Sequence, residues 1–222
     1  ISKRLWGVRR EKGSDIVLIS GQECENIKPR RTEGRRSREF RRLMIKMLGK
    51  DYVPIAMHLL GGIQFGLFCK RSVIGEIEHV SISDVTCGIG NVFHNKGAIG
   101  AFLQLKARRP ADKPDATSDP NKEQKRAKSL RILFVTAHMA AHVKNTEARD
   151  ADFWRICNEL EAQAPPRFLL PVSGRSASAA SAVHNEEGDE TSGGARLLES
   201  ADRIFFCGDL NYRVDLPREQ AE

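Results

Sequence analysis

Polar side chains follow three apolar runs of the sequence, at the points where strands are predicted to end. Glu23 follows DIVLI (residues 15–19), His138 follows ILFVTA, and Asp209 and Asn211 follow RIFFCG. Strand ends often share one edge of a sheet, where loops on a rigid scaffold carry functional groups. Each residue alone also fits a plain structural role in a loop or turn. Their joint occurrence favours a shared site.

These four side chains have the chemistry of metal-assisted phosphoester hydrolysis. Glu23 offers a hard oxygen ligand suited to Mg²⁺, and a bound metal would polarise a phosphoryl oxygen. Asp209 would orient and deprotonate an attacking water. Asn211 is neutral, so it would position the water or the phosphate without repelling it, and His138 would donate a hydrogen bond to a phosphate oxygen.

The elements that must position these residues are mostly strands. Apolar runs bounded by turn residues predict strands at 15–19, 52–60, 63–69, 80–86, 98–106, 130–137 and 203–207, and helices at 38–48 and 146–162. Many of the strands are strongly apolar, as expected when both faces of a sheet are covered. This pattern favours an α/β fold, a two-sheet β-sandwich flanked by helices, with a pure β-sandwich as the alternative.

Two polar segments interrupt these elements within a single domain of residues 1–222. Residues 107–129 are rich in Pro, Asp and Lys, and residues 164–201 are rich in Ser, Ala, Gly and Glu. Such compositions bury little apolar surface. We therefore predict that both segments are flexible insertions.

The overall composition points to an anionic partner in a reducing compartment. The formal net charge is +7 and the sequence pI is about 9.3, which suits phosphate esters, an acidic membrane surface or nucleic acid. None of the five cysteines forms a CxxC pair, so we expect reduced, mostly buried thiols and no zinc site. Reduced thiols lead us to expect a cytoplasmic protein. No apolar run reaches the roughly 18 residues of a membrane span.

Residues 28–50 hold ten Lys or Arg residues and two acidic residues. The second half of this stretch carries apolar residues at helical spacing: Phe40, Leu43, Met44 and Met47. This spacing predicts an amphipathic helix that ends at Gly49. The cations would either make peripheral contact with anionic membranes or form a solvated helix face, and both interpretations remain open.

Four segments resemble successive motifs of the inositol polyphosphate 5-phosphatases, a branch of the endonuclease/exonuclease/phosphatase superfamily: GQE, GNVFHNKGAIGAFLQL, ILFVTAHMAAHVKNTEARDADF and FFCGDLNYRV. The similarity covers most of residues 15 to 215, and GDLNYR and HNKGA are more specific than a bare GDxN. The resemblance implies a two-sheet α/β fold and Mg²⁺-dependent hydrolysis of the 5-phosphate of phosphoinositides or inositol polyphosphates.

The resemblance also implies roles for individual residues. Glu23 matches the metal-binding glutamate of the family, and His138 matches the histidine that contacts the scissile phosphate. Asp209 matches the aspartate that activates water, with Asn211 as its partner. Asn95 and Lys96 match a loop of the family that contacts the phosphate at position 1 of the inositol ring.

Two family features have no counterpart in the sequence. The family has an asparagine at the end of a strand ahead of its QE motif, and residues 1–15 contain no such pattern. The family's later Trp-Cys-Asp-Arg motif and Asp-His pair are also missing. We therefore expect a 5-phosphatase domain that is truncated at both ends and has little activity alone.

Two other functions stay open at this point. A relative within the superfamily would act on nucleic acid or another phosphodiester, which the basic charge allows. The match of Asn95-Lys96-Gly97 and Tyr212-Arg213 to the 5-phosphatases argues against this, so no nucleic acid partner is expected. The other alternative is an inactive fragment that binds phosphoinositides.

Overall fold

The computed structural model describes residues 13–25, 34–88, 96–107, 129–169, 195–213 and 220. Seven strands form two sheets, which pack face to face with a helix on each outer side. Every predicted strand and helix is present, with ends that shift by at most three residues. The local sequence pattern was sufficient to locate these elements, because the apolar runs are long and clearly bounded by turn-forming residues.

The first sheet has three antiparallel strands in the order β1-β3-β2. Its strands are β1 (Ile16–Gly21), β2 (Tyr52–Leu60) and β3 (Ile63–Lys70), and the helix α1 (Arg35–Leu48) connects β1 to β2. The predicted Gly61-Gly62 turn joins β2 and β3. The central strand β3 is almost wholly buried, as expected for a strand covered on both faces.

The second sheet has four strands in the order β4-β5-β6-β7. The strands are β4 (Ile77–Thr86, preceded by a 3₁₀ turn at Ile74–Glu76), β5 (Gly97–Leu105), β6 (Leu130–His138) and β7 (Arg203–Asp209). Only β6 and β7 run parallel. Two helices separate them in sequence, α2 (Thr146–Gln163) and α3 (Ala195–Ser200), in keeping with the crossover that parallel strands require.

The core has two layers, one on each face of the four-stranded sheet. Between the sheets, Leu60, Phe65 and Leu67 pack with Ile99 and Leu103. The opposite face of the four-stranded sheet packs against α2 and α3 through a second apolar cluster that includes Phe102, Val135, Ile156, Leu160 and Leu197. Successive residues of β5 thus point into different layers, as the two-residue period of a strand requires.

The second polar segment is structured at both of its described ends, contrary to the prediction for 164–201. Phe168 is fully buried, and its ring packs edge-on against Phe102 at 5.2 Å between centroids. Helix α3 was not predicted, and it buries Leu197. The polar composition of the segment as a whole gave no indication that these few apolar residues would be buried. Residues 108–128 and 170–194, which make up the rest of the two predicted insertions, lie outside the described residues.

Helix α1 buries only part of the face predicted for it. Met44 is 1% exposed and contacts the sheet at Gly66, and Ser37 is also buried. Leu43 and Met47 are 54% and 58% exposed. The face predicted from apolar spacing is therefore only partly correct, because the helix packs through a narrow strip centred on Met44.

Candidate active site

The pairing of β6 with β7 brings His138 and Asp209 together. The two strands are parallel, and His138 is the register partner of Asp209 at their shared C-terminal end. The distance from His138 Nε2 to Asp209 Oδ2 is 3.5 Å. Parallel pairing aligns the carboxyl ends of two strands far apart in sequence, so the strand-end argument from the sequence holds for this pair.

Glu23 reaches the same point from the other sheet. It lies just beyond β1, and its Oε1 is 3.9 Å from His138 Nε2. The preceding residue, Gln22, donates a hydrogen bond from Nε2 to Thr136 Oγ1 at 3.1 Å, which ties β1 to β6 across the sandwich. The site therefore lies at the junction of the two sheets, with the Glu23 side chain 82% exposed to solvent.

Lys96 completes the group of charged side chains around His138. Its Nζ lies 2.5 Å from His138 Nε2, and the histidine itself is only 3% exposed. Burial lowers the Lys96 pKa, while the negative charges of Asp209 and Glu23 partly oppose this effect. The ammonium and the two carboxylates compete for one nitrogen, so the proton on His138 Nε2 decides which contact forms.

Asn211 and Arg213 hold the turn that carries Asp209. Asn211 donates its backbone N–H to Asp209 Oδ1 at 3.1 Å and its side-chain Nδ2 to Met139 O at 3.0 Å. Its Oδ1 accepts a hydrogen bond from Arg213 Nη2 at 2.6 Å. The Asn211 amide is thus engaged at both ends, and its contacts fix the Asp209 carboxylate relative to the end of β6.

Left-handed backbone is concentrated around the site. Glu23 and Asn211 have φ of 56° although neither is glycine, a conformation that persists only where its surroundings impose it. Gly208 has φ of 122°, and a Cβ there would lie 2.1 Å from Ala137 O. Glycine is therefore required next to Asp209 for β7 to pair closely with β6.

Sequence reasoning missed two groups that support the site. Arg149 is 1% exposed, and its guanidinium donates hydrogen bonds to three carbonyls of the loop after β6, those of residues 140, 142 and 143. Asp152 Oδ2 accepts a hydrogen bond from the Ala140 N–H at 2.9 Å, and burial is the main cause that raises its pKa. Both residues lie within the motif ILFVTAHMAAHVKNTEARDADF, which could have pointed to them, but the motif alone assigned them no role.

The metal implied by the resemblance can be tested against the carboxylates present. Glu23 and Asp209 both present exposed oxygens to the same histidine. Among the described residues, no group of three or more His, Cys, Asp or Glu side chains could enclose a metal ion. Mg²⁺ is usually held by one or two carboxylates, with water and substrate phosphate as the other ligands. Glu23 fits that mode as a single carboxylate ligand, because its side chain is more exposed than that of Asp209, at 82% against 49%.

Of the two residues predicted to bind the substrate, only Lys96 is among the described residues. Asn95 lies outside the described residues. Lys96 lies directly against His138. The described structure thus brings together Glu23, Lys96, His138 and Asp209, and Asn211 supports Asp209.

No helix in the described part of the chain combines the length and apolar character needed to cross a membrane.

Curated relatives of the chain are inositol polyphosphate 5-phosphatases. The chain is 26% identical over 157 residues to type II inositol polyphosphate 5-phosphatase 14 of Arabidopsis thaliana, an alignment that covers 70% of the chain and 12% of that protein. It is 24% identical over 179 residues to synaptojanin-1 of Homo sapiens, covering 80% of the chain and 8% of that protein. The chain thus spans only a small part of the curated relatives it matches.

The fold matches a solved domain of the same kind. This is the inositol polyphosphate 5-phosphatase domain of SPsynaptojanin, solved in complex with inositol (1,4)-bisphosphate and a calcium ion. The TM-score is 0.59 at 21% identity, and the match covers 96% of the chain and 48% of that domain. This likeness confirms the predicted α/β sandwich with two sheets and flanking helices.

The sequence comparison extends over nearly the whole chain. Residues 2–222 match the family described as endonuclease/exonuclease/phosphatase family 2. The match includes all the strands that deliver Glu23, His138 and Asp209. The chain therefore belongs to endonuclease/exonuclease/phosphatase family 2.

Proposed function

We propose that the protein is a phosphoric monoester hydrolase that removes the 5-phosphate of phosphoinositides or inositol polyphosphates in the presence of Mg²⁺. One observation carries this proposal: a buried histidine at the junction of two sheets faces two carboxylates and a lysine. His138 Nε2 lies within 3.9 Å of Glu23, Asp209 and Lys96. The likeness of the chain to inositol polyphosphate 5-phosphatases supports the proposed substrate class.

The reaction would transfer the phosphoryl group to water. Asp209, whose carboxylate is fixed by the Asn211 N–H, takes a proton from the attacking water. The water oxygen bonds to phosphorus and the bond between phosphorus and the ring oxygen breaks. The ring oxygen takes up a proton from solvent and leaves as an inositol hydroxyl, and Asp209 returns its proton to solvent. Near-complete burial of His138 restricts its ring, so that its Nε2 is oriented to hold a phosphate oxygen.

Lys96 and Glu23 would offset the negative charge of the phosphate, Lys96 directly and Glu23 through a bound Mg²⁺. The partly buried Lys96 ammonium attracts the anionic substrate and is a mobile point charge. Its assignment to the phosphate at ring position 1, together with Asn95, remains a proposal. Glu23 would hold Mg²⁺, which when bound offsets charge on the phosphoryl oxygens.

The test is phosphate release from a phosphoinositide that carries 4- and 5-phosphates, measured with Mg²⁺ and then with EDTA. The chain is tested beside a version extended at both ends, because little activity is expected of the chain alone. We expect release from the extended version with Mg²⁺ only, and a loss of at least about 100-fold in its Asp209→Asn variant, the scale typical of a general base. Asp51→Asn is the matched control, because Asp51 is exposed and lies outside the site. Its activity should equal that of the unchanged extended version.

Other outcomes would favour the alternatives. Release from abasic DNA or another phosphodiester, with none from the phosphoinositide, would move the protein to a different substrate class. Binding of the phosphoinositide without release, in both the extended version and its Asp209→Asn variant, would favour an inactive binding domain. We further propose a cytoplasmic location with peripheral membrane contact, which is consistent with a lipid substrate.

A further inference from the structure

Helix α1 exposes aliphatic side chains while it buries a polar one. Ser37 is fully buried, whereas Leu43 and Met47 are 54% and 58% exposed and lie one turn apart. A surface helix of a soluble domain usually shows the reverse pattern. Single exposed aliphatic residues are common, but these two form a row on one side of the helix, because residues four apart share a face.

A row of cations lies beside this aliphatic row. Arg42 and Lys46 are both exposed, and each precedes a member of the aliphatic pair by one residue. The helix as a whole carries six basic residues and one acidic residue, Glu39, which pairs with Arg35 at 2.9 Å. The exposed surface of α1 is therefore both strongly cationic and locally apolar.

We propose that this surface of α1 docks the protein on bilayers that contain anionic lipid headgroups. Arg42 and Lys46 would contact the headgroup phosphates, and Leu43 and Met47 would enter the boundary between headgroups and acyl chains. Interfacial helices combine these two features. Nucleic acid or a soluble polyphosphate would use the cations but leave the aliphatic row in water, so a bilayer accounts for both rows.

The position of α1 links this surface to the candidate active site. Glu25, two residues after Glu23, accepts hydrogen bonds from the backbone N–H and the hydroxyl of Ser37, both at 3.3 Å. The first turns of α1 are thereby tied to the segment that carries Glu23. Docking through α1 would hold the site near the lipid surface, but the docking itself does not require hydrolysis.

The first test measures binding to phosphatidylcholine vesicles with and without phosphatidylserine, by co-sedimentation. Leu43→Ala/Met47→Ala should bind the anionic vesicles at least about tenfold more weakly, because burial of only two of the removed groups, at about 0.8 kcal/mol for each CH₂, already corresponds to a tenfold change in affinity. Ile45→Ala is the matched control. Ile45 is 44% exposed but lies about 160° around the helix from Leu43. Ile45→Ala should therefore weaken binding to the anionic vesicles clearly less.

The second test concerns charge. Arg42→Ala/Lys46→Ala should weaken binding to anionic vesicles by about 25-fold, about fivefold for each cation near the surface. Arg167→Ala/Arg203→Ala removes the same charge from two exposed residues outside α1 and should have little effect. Thermal unfolding checks that each variant is folded, which exposed substitutions should permit.

Three results would overturn the inference. Equal losses in the two charge variants would indicate general electrostatic adsorption, and unchanged binding in Leu43→Ala/Met47→Ala would remove the apolar contact. Equal displacement of the unchanged chain and Leu43→Ala/Met47→Ala by DNA would identify a site for soluble polyanions. Because only binding is measured, failure here leaves the proposed hydrolysis untouched, and an inactive chain could still dock.

Discussion

The guanidinium of Arg149 lies 5.2 Å from the centre of the Tyr212 ring, and this contact joins α2 to the turn after β7. The same guanidinium binds carbonyls of residues 140, 142 and 143 in the loop after β6. Tyr212 in turn donates a hydrogen bond to Asp150. Arg149 thus holds both loops that follow the strands carrying His138 and Asp209, although it contacts neither residue in the structure.

We predict that Arg149→Met lowers the free energy of unfolding by about 1.5–3 kcal/mol, the scale of hydrogen bonds to a charged group, because three carbonyls of the loop after β6 would lose their donor. Methionine largely retains the packed volume, so a cavity would not explain the loss. Urea unfolding measures the effect. The control is Arg155→Met: Arg155 makes a half-exposed ion pair with Glu159 and should contribute at most about 1 kcal/mol. Similar values for the two variants would contradict the bracing role.

Gly208→Ala should destabilise the fold by several kcal/mol. Its φ of 122° is rare for residues with a Cβ, and that Cβ would overlap backbone atoms of Ala137 rather than a flexible side chain. Gly75→Ala is the matched substitution, because a Cβ there meets no atom within 4 Å, and it should change stability by less than about 1 kcal/mol. Thermal unfolding of both variants distinguishes them, and a stable Gly208→Ala protein would refute the close β6–β7 packing.

Glu23→Gln should weaken the response of the protein to Mg²⁺ while leaving its intrinsic stability unchanged. The side chain is 82% exposed, so its charge contributes little to folding, whereas a metal held by one or two carboxylates depends strongly on each. The shift in Tm on adding Mg²⁺ measures binding through its effect on the folded state. Glu159→Gln, remote from the site, should keep the full shift. An unchanged shift in Glu23→Gln would exclude this residue as the metal ligand.

The cysteines should react slowly with alkylating reagents in the folded protein. Burial raises the pKa of Cys87 to about 12 and that of Cys157 to about 11, with nearby carboxylates adding to both shifts. The thiolate is the reactive form, so at pH 8 iodoacetamide should modify these residues at least about tenfold faster in urea than in buffer. Peptide mass spectrometry would identify them, and equal rates would contradict their burial.

The same shifts predict how stability depends on pH. The folded state keeps protons on Cys87 and Cys157 that the unfolded chain releases above about pH 9, the ordinary pKa of a thiol. Stability from these groups is therefore fully present below pH 9 and falls as the pH rises toward 11 and 12. Cys87→Ser and Cys157→Ser variants would flatten this decline in urea unfolding if the assignment is correct.

The sequence by itself located the strands and the polar residues at their ends. Apolar runs such as ILFVTA and RIFFCG, bounded by turn residues, admit few structures other than buried strands. The chemistry of Glu23, His138 and Asp209 could be named for the same reason, because a residue type and its place after a strand are both local properties. The motif resemblance added the substrate class.

Only the tertiary structure decided which of these strand ends meet. β1 belongs to a different sheet from β6 and β7, so Glu23 reaches His138 across the sandwich, held by the Gln22–Thr136 hydrogen bond. The contacts of Lys96 with His138 and of the Arg149 guanidinium with the Tyr212 ring likewise join distant segments. Sequence spacing also misassigned Leu43 and Met47 of α1, since periodicity shows that a helix has an apolar side but not which residues the sheet covers. Local pattern is set by neighbouring residues, whereas burial and site geometry depend on long-range packing that no short segment specifies.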